Sequence, residues 1–408
     1  TVLLRFLPTN GAPVTHPLRV PPMSRQTVDV GTVPGLATAE FSTVLESDQL
    51  VVLDRLMSWD AAGYGSHAET AMPSLSKEWY LAEGATHSGL ELFYLLQNPA
   101  STATTAQVTF LRPAPLAPIV KSYTLEPQSR FTVWVDTVDA ALASTDVSAQ
   151  ISASQPIAVE RALYLSRGGQ FFTAGHESAG VTAPALEWFL AEGATGPYFD
   201  EFVLLANPNA TPANVRVTFL KPDGTAVVQA HTVAAKSRFS IWVDYADPAL
   251  ADTAVSTTVN VTNNVPIVVE RAMWWPGDAT TWYEAHNSPG ATSTGTAWVV
   301  AAGEDGGAGD TETYVLIANP TKATATVRVT AMLDDGTTSA KAFTVNPRSR
   351  FNVQVRSEFP SVAGRHFSML VESVDLDPIG IVVEAAVYSD TNGVTWQAGA
   401  NTLATRLR

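Results

Sequence analysis

The chain has 408 residues, of which 46% are hydrophobic and 15% charged, and its formal net charge is −15. This length predicts roughly two to four domains with buried cores, and the acidic balance argues against nucleic acid or an anionic membrane as a partner. The sequence has no cysteine, which excludes disulfides, thiolate metal sites and cysteine nucleophiles.

The first residues, TVLLRFLPTNG, resemble the middle of a β-strand. They lack the basic start, apolar stretch and small-residue cleavage site of a signal peptide, so we expect the numbered chain to be a mature or trimmed piece. No apolar run reaches the roughly 18–20 residues that a membrane helix needs. We therefore expect no membrane insertion.

Internal similarity recurs along the chain with a period of roughly 110 residues. The segment SRQTVDVG (24–31) returns as SRFTVWVD (129–136), SRFSIWVD (237–244) and SRFNVQVR (349–356). The segment PIAVERALY (156–164) returns as PIVVERAMW (266–274), with weaker copies at 50–58 and 381–388. Gly-, Pro-, Ser- and Thr-rich stretches mark the boundaries between copies. We predict an incomplete repeat at 1–74, repeats at 75–183 and 184–293, and a divergent terminal repeat at 294–408.

Within each repeat the apolar residues follow a period of two, which predicts strands. The copy at 184–293 contains seven short segments rich in Val, Thr, Phe and Trp, separated by turn signals such as Asn207-Pro208 and Asp223-Gly224. This pattern predicts an all-β fold of tandem immunoglobulin-like antiparallel β-sandwich domains without the cysteine pair. A four-bladed propeller is the alternative, although a blade needs only about 40–50 residues.

The first repeat lacks the counterparts of the EWYLAEGAT segment (78–86) and of the following LLQNP segment (95–99). A sandwich without its first two strands has an open core and unpaired edges. We expect upstream residues, or a strand from a neighbouring molecule, to complete it by donor-strand addition.

The motifs W-[YF]-L-A-E-G, L-x-N-P, S-R-F-x-[VI]-W-V-D and P-I-x-V-E-R-A resemble those of a bacterial extracellular or cell-surface tandem repeat family of unknown function. The resemblance covers nearly the whole chain and is weakest in the first and last repeats. It implies a β-sandwich repeat and a secreted or cell-surface location. The family has no established activity, so no site residues follow from it.

Three polar positions change together among the repeats. The glutamate of L-A-E-G, the arginine of V-E-R-A and a histidine after the last strand occur together in the two complete repeats. These residues are Glu83, Arg161 and His176, then Glu192, Arg271 and His286. The last repeat has Ala302, Ala385 and Ala400 at these positions, and the first retains Arg55 and His67. Joint loss predicts contact within one domain, because deleting one partner of a buried ionic cluster costs about 3–5 kcal/mol whereas deleting all of them can be neutral.

Two alternatives remain for these residues. His67 and Glu83, or His176 and Glu192, could instead bridge successive domains, but this pairing leaves His286 opposite Ala302. The cluster could also be the site of a hydrolase, which requires an open pocket and perturbed pKa values. A site repeated in several domains and deleted in another favours a structural cluster that joins strands. We therefore expect no enzyme activity.

Two further sets of residues could bind ligands. Trp134 and Trp242 occupy a position that holds Asp29 and Gln354 in the other repeats, which places them on an outer face or at a domain junction. Exposed tryptophans could stack on sugars. Asp305, Asp310 and Glu312 in the loop GEDGGAGDTET are weak calcium candidates without the EF-hand spacing. No other cofactor is indicated.

The sequence thus predicts a non-enzymatic extracellular structural protein, such as a fibre, surface-layer or adhesin stalk element. Self-association or contact with neighbouring domains, end to end or laterally, is the expected mode of action. The alternative is a glycan-binding module that uses the outer tryptophans, and a hydrolase is the third hypothesis.

Overall fold

The computed structural model describes residues 1–9, 11–60, 64–277, 280–307, 309–390 and 393–408, and the side chains of all of these except 60 and 64. Almost all of the regular structure is antiparallel β-sheet. The predicted fold class, tandem immunoglobulin-like β-sandwiches, is confirmed. Residues 1–74, 75–183, 184–293 and 294–408 are called repeats 1 to 4 below.

Repeat 2 forms two packed layers that share one long strand. Its strands are β6 (Ser76–Leu81), β7 (Leu90–Asn98), β8 (Thr104–Leu111), β9 (Ile119–Leu125), β10 (Ser129–Trp134), β11 (Ser148–Arg167) and β12 (Gln170–Ala179). The first half of β11 pairs with β6 and β8, and its second half pairs with β7 and β12. Burial alternates along β7, as expected for a strand with one face on the core. Short 3₁₀ turns lie at Val135–Thr137 and Ala140–Leu142.

Repeat 3 has the same two layers as separate four-stranded sheets, ordered β13-β18-β15-β16 and β17-β14-β19-β20. Its strands are β13 (Glu187–Leu190), β14 (Asp200–Asn207), β15 (Ala213–Leu220), β16 (Ala226–Val233), β17 (Ser237–Trp242), β18 (Ser256–Val261), β19 (Val268–Trp275) and β20 (Glu284–Pro289). A one-turn helix, α1 (Val243–Ala246), and a 3₁₀ turn at Pro248–Leu250 connect the layers.

Repeat 4 follows the same plan, with sheets ordered β24-β23-β26-β21-β29 and β25-β22-β27-β28. Its strands are β21 (Ala297–Glu304), β22 (Glu312–Asn319), β23 (Ala325–Leu333), β24 (Thr338–Val345), β25 (Ser349–Gln354), β26 (His366–Ser373), β27 (Val382–Ser389), β28 (Ala398–Leu403) and β29 (Thr405–Arg406). The connections include α2 (Val355–Glu358) and a 3₁₀ turn at Pro360–Val362. In the described ranges no helix has the length and apolar character of a membrane span.

Repeat 1 has fewer strands. A three-stranded sheet contains β1 (Val2–Pro8), β2 (Val14–Leu18) and β3 (Phe41–Ser47), in the order β2-β1-β3, with a 3₁₀ turn at Val30–Thr32. A hairpin of β4 (Asp54–Asp60) and β5 (Tyr64–Thr70) follows. The segment SRQTVDV forms no strand here, because the strand that pairs with its counterpart β10 in repeat 2 is β7, which repeat 1 lacks.

The four repeats close into a ring. The last strand of the core fold in each repeat lies at the centre, where β5 packs against β12, β12 against β20, β20 against β28, and β28 against β5. Repeat 4 therefore meets repeat 1 across the same kind of interface that joins repeats consecutive in the chain. The repeats are sandwiches rather than propeller blades, but they surround a common axis as blades do.

Candidate functional site: polar clusters at the ring interfaces

Arg161 is the centre of a buried ionic cluster that joins repeats 2 and 3. Its side chain is fully buried on β11. Nη1 donates to Glu270 of repeat 3 at 2.5 Å, while Nη2 lies 3.3 Å from Glu83 of its own repeat. His176 Nε2 lies 3.3 Å from the same Glu83 carboxylate. The structure thus brings Glu83, Arg161 and His176 together and adds a partner, Glu270, from the next repeat.

Repeats 3 and 4 meet through an equivalent cluster. Arg271 Nη1 donates to Glu384 at 2.8 Å, and Nη2 lies 3.1 Å from Glu192. His286 Nε2 is 3.6 Å from Glu192 and 3.1 Å from the hydroxyl of Tyr388. A guanidinium between two carboxylates is the arrangement that best offsets the cost of burying an arginine.

At the interface between repeats 1 and 2 the second carboxylate comes from a different strand. Arg55 lies 3.2 Å from Glu160 and donates to Glu177, and His67 Nδ1 is 3.1 Å from Glu177. Repeat 1 has no L-A-E-G segment and hence no counterpart of Glu83. Glu177 supplies the missing charge from the position that holds Asn287 and Asn401 in the later repeats. Each arginine therefore keeps two carboxylates.

In the described part of the chain, the interface between repeats 4 and 1 has no arginine at the position of Arg161, although the charge of Arg25 acts on Asp54 there. Ala385 and Ala400 are buried at the arginine and histidine positions. Asp54 of repeat 1 accepts the backbone N–H groups of Ala301 and Ala302 of repeat 4 at 2.7 and 2.9 Å. Hydrogen bonding of a carboxylate to main-chain donors thus persists where the ion pair is lost.

A carboxylate also accepts main-chain N–H groups at the interfaces between repeats 2 and 3 and between repeats 3 and 4. Glu270 accepts from Ala82 N and Glu83 N at 2.9 and 3.1 Å, and Glu384 accepts from Ala191 N at 2.7 Å. Each of these acidic side chains therefore holds the chain just after the first strand of the preceding repeat. Sequence reasoning missed this role, although the residue before the arginine position is acidic in all four repeats, including repeat 4, where that position is Ala385.

The electrostatic environments of the two L-A-E-G glutamates differ. Burial alone would raise the pKa of Glu83, but His176 and Arg161 outweigh it and lower that pKa. Burial dominates for Glu192 and raises its pKa despite Arg271. Burial also lowers the pKa of His286 well below its usual value and that of His67 to about 3, so both imidazoles are neutral near pH 7.

A single carboxylate lies on the axis where the four repeats meet. Glu284 is fully buried at the start of β20 and accepts backbone N–H groups from every repeat. The donors are Ser66 at 3.0 Å, Gly175 at 3.3 Å, Ala285 at 3.0 Å and Gly399 at 3.4 Å. The counterparts of Glu284 are Gly65, Ala174 and Ala398. No repeated motif marks this residue, because only one of the four copies carries it.

Glu69, which follows His67 on β5, is a further buried carboxyl that the sequence analysis missed. Burial raises the pKa of Glu69 to about 8, and its carboxyl accepts from the backbone N–H of Ala179 across the interface. The equivalent residues of repeats 2 and 3 are Ser178 and Ser288.

We expect Glu69 to make stability fall as the pH rises. Its pKa is higher in the folded chain than its usual value of 4.5, so its stabilising contribution is complete below pH 4.5 and is lost as the pH rises toward 8, by at most about 1.4 kcal/mol per pH unit. Urea unfolding of the wild type and of Glu69→Ser between pH 4.5 and 8 measures the difference. An identical pH dependence in both proteins would contradict this assignment.

The two predicted ligand-binding tryptophans lie on the outside of the ring. Trp134 is 45% exposed and stacks on Phe93 with ring centroids 5.7 Å apart. Trp242 is half-buried, donates to Asp200 at 3.0 Å and meets the exposed ring of Tyr245 edge-on. A shallow open pocket of about 470 Å³ lies beside it. That pocket is lined by Gln229, Ala230, His231, Phe239, Ile241, Trp242, Tyr245 and Ala246.

The three calcium candidates surround a guanidinium. Arg356 donates to Asp305 at 2.6 Å, to Asp310 at 2.7 Å and to Glu312 at 3.3 Å. Arg356 thus supplies the positive charge that a bound calcium ion would have provided to these carboxylates. Nowhere in the described part of the chain do three or more His, Cys, Asp or Glu side chains converge as metal ligands would.

Comparisons with known proteins add only distant similarities. No family model and no curated protein matches the chain. The structure of Thermotoga maritima 1070 is 13% identical with a TM-score of 0.25, and the match covers 28% of this chain and 97% of that one. The Anabaena sensory rhodopsin transducer is 25% identical with a TM-score of 0.19, covering 22% of this chain and 96% of that one.

A tetra-tandem repeat from the extending region of a large adhesion protein is 13% identical with a TM-score of 0.12. That match covers 100% of this chain and 92% of the other chain. At these TM-scores none of the neighbours carries an argument about function.

Proposed function

We propose that the chain is a non-enzymatic structural element of the bacterial cell surface, a compact four-repeat ring that assembles with other components through end-to-end or lateral contacts. The burial of the polar clusters carries this proposal. Glu83 and Glu192 are 5% and 4% exposed, and Arg161 and Arg271 are 0% exposed. Their partners are one another and the neighbouring repeat, as in an interface that fixes geometry.

The closed ring refines the kind of structural role that the sequence predicts. Four tandem sandwiches in an extended row would act as a spacer whose function is length. Four sandwiches around an axis form a rigid block instead, so length would come only from stacking several blocks. The acidic surface favours partners that are neutral or basic at the contact.

Surface labelling of the source cells with a membrane-impermeant reagent, followed by electron microscopy of the purified protein, tests this proposal. We expect labelling of intact cells and four-lobed particles, either single or stacked. Exclusive recovery from the cytoplasm, or turnover of a substrate that is abolished by Glu83→Gln, would contradict it.

Glycan binding is the second candidate, and the pocket beside Trp242 favours it. Tyr245 is 74% exposed and Phe239 is 39% exposed, so apolar ring surface is available to a flat ligand. Gln229 and His231 add polar groups at the edge of the same pocket, as expected where sugars are held by stacking and hydrogen bonds.

We expect any glycan that binds there to lose at least about tenfold in affinity when Trp242 is replaced by alanine, which corresponds to about 1.4 kcal/mol. Glycan arrays followed by titration of the hits measure this. Trp134→Ala is the matched control, because Trp134 occupies the same position in repeat 2. Binding that is equally retained in both variants would exclude the pocket as the site.

A further inference from the structure

Arg350 on β25 is a buried arginine that lacks the ion pair of its counterpart in the preceding repeat. The equivalent residue of repeat 3, Arg238, lies 3.0 Å from the carboxylate of Asp146 in repeat 2. Arg350 is 4% exposed, and its partners in the described part of the chain are neutral oxygens, among them those of Val255 at 2.9 Å and Asn352 at 2.6 Å. A buried cation without a carboxylate is costly, so this site favours an anion.

Two residue differences remove the carboxylate and leave space beside Arg350. The isolated β-bridge that Asp146 makes in repeat 2 is made by Ala254 in repeat 3, so Ala254 occupies the position of the missing carboxylate. His87 lies 3.1 Å from Asp146, and the counterpart of His87 in repeat 3 is Gly196. Both side chains that accompany the arginine at one interface are therefore absent at the next.

A cavity of about 90 Å³ lies at this place between repeats 3 and 4, and Arg350, Asn352 and Ala254 contribute to its lining. Four aromatic side chains also line it. They are Phe199, Tyr314, Tyr388 and Trp396. The rings of Tyr388 and Trp396 are stacked with centroids 4.6 Å apart. A single water needs only about 10–15 Å³, so the cavity has room for a small molecule with a flat apolar body.

Two carboxyl groups near Arg350 do not replace the missing partner. Glu192 lines the cavity, but its Oε2 lies 3.1 Å from Arg271 and accepts from Asn401 at 2.5 Å. Glu201 is fully buried, and neither of its carboxyl oxygens has a hydrogen-bond partner among the described residues. Burial raises the pKa of both carboxyls and favours their neutral forms. They therefore neither neutralise Arg350 nor repel an anion as full charges would.

We propose that this cavity binds a small monocarboxylate with a flat apolar body, whose carboxylate pairs with Arg350 as Asp146 pairs with Arg238. The side-chain oxygen of Asn352 already accepts from Arg350, so its NH₂ group is the second donor to the ligand. The aromatic rings pack against the apolar body. The site is separate from the pocket beside Trp242, and the proposal does not depend on the surface role above.

Isothermal titration calorimetry of the full chain with benzoate and phenylacetate tests the chemistry of the site. We expect binding of these acids, and at least about tenfold weaker binding of neutral benzamide, which lacks the charge that pairs with Arg350. Acetate should also bind at least about tenfold more weakly, because it leaves the rings uncovered. No binding of either aromatic acid, equal affinity for benzamide or acetate, or tighter binding of cationic benzylammonium would each overturn the proposal.

Ala254→Asp is the sharpest variant, because it gives repeat 3 the carboxylate that repeat 2 carries at Asp146. We expect the new side chain to pair with Arg350, to raise the urea midpoint of unfolding and to weaken benzoate binding at least about tenfold by occupying its place. Ala254→Asn is the control of similar size, and it should not raise the midpoint. Wild-type affinity for benzoate in Ala254→Asp would contradict the site.

A pair of arginine variants separates binding from interface stability. We expect Arg350→Gln to lose at least about tenfold in benzoate affinity and Arg238→Gln to stay within about twofold of the wild type, because Arg238 already pairs with Asp146 at another interface. Equal losses in the two variants would show that these arginines act only by holding repeats together. Circular dichroism of each variant verifies that the ring remains folded.

A free acid and the C-terminus of a peptide present the same carboxylate. Titration with hydrocinnamate and with acetyl-diglycyl-phenylalanine, which share the terminal carboxylate and the phenyl ring, separates these two sources. We expect the free acid to bind at least about tenfold more tightly, because a cavity of about 90 Å³ has little room for a peptide chain. Equal affinity would support the same carboxylate site but assign it to the end of a polypeptide.

Discussion

Replacing Glu284 by alanine is expected to lower the free energy of unfolding by about 3–5 kcal/mol, because it leaves buried main-chain donors of four repeats without their common acceptor. The carboxylate of Glu284 accepts from Ser66, Gly175, Ala285 and Gly399, one residue from each repeat. Burial raises the pKa of this carboxyl well above its usual value, whereas the four N–H groups favour its charged form. Urea unfolding of the variant measures the loss.

The approximate fourfold arrangement provides a specific rescue of this variant. Ala174 and Ala398 are buried at the positions equivalent to Glu284. A glutamate at either position would therefore extend toward the same axis from a neighbouring repeat. We expect Glu284→Ala/Ala174→Glu to recover at least half of the lost stability. Ala174→Glu alone should destabilise the protein, because it places two carboxylates on one axis.

The opposite signs of Ala174→Glu in the two backgrounds form a double-mutant cycle with a large coupling energy. Stability changes that simply add would mean that the four main-chain donors do not share one acceptor. Glu284→Gln is the matched control for shape. The glutamine keeps one acceptor oxygen, but its NH₂ group would face main-chain N–H donors. We therefore expect the Glu284→Gln protein to be less stable than the wild type as well.

The strands were predictable because they repeat, and so were the three polar residues that each complete repeat contributes to a buried cluster. Period-two alternation and turn signals indicate the sandwich, and the joint loss of three polar residues in repeat 4 places Glu83, Arg161 and His176 near one another. The alternation is local, and the joint loss compares equivalent positions of different repeats. Neither signal contains information about how one repeat packs against the next. The closed ring was for this reason not predicted.

The residues that join the repeats were missed for the same reason. Glu270 belongs to the opposite face of its strand from Arg271 in the alternation pattern, and its partner Arg161 lies in another repeat. Glu177 pairs with Arg55 as Glu83 pairs with Arg161, but the two glutamates lie at different positions of the repeat. An alignment of equivalent positions therefore does not reveal that one replaces the other. Glu284 occurs once, and repetition cannot identify a residue that serves all four copies.

Arg271→Ala is expected to lower the free energy of unfolding by about 3–5 kcal/mol, because Glu192 and Glu384 would remain buried without their cation. Both carboxylates lie within 3.1 Å of the guanidinium. Burial already raises the pKa of each carboxyl, and removing Arg271 takes away the charge that opposes this shift. We expect the loss to grow from pH 5 to pH 8, as more work is needed to keep the pair protonated.

The triple variant Glu192→Ala/Arg271→Ala/His286→Ala is expected to be at least about 1 kcal/mol more stable than Arg271→Ala, although it removes more atoms. It reproduces the alanines of repeat 4. Glu384 then resembles Asp54, a carboxyl whose pKa is raised by burial and which accepts main-chain N–H groups with no arginine at the position of Arg271 in the adjoining repeat. The additional cavity limits the recovery.

Glu192→Ala alone provides the third measurement in this series. It removes one carboxylate and leaves Arg271 with Glu384, so we expect a loss smaller than that of Arg271→Ala but above about 1 kcal/mol. Full stability of Glu192→Ala, or a triple variant no more stable than Arg271→Ala, would show that the cluster does not act as a unit. Of these variants, Arg271→Ala should be the least stable, since it leaves both Glu192 and Glu384 buried without Arg271, whereas the triple variant leaves only Glu384 and Glu192→Ala keeps the pair of Arg271 and Glu384.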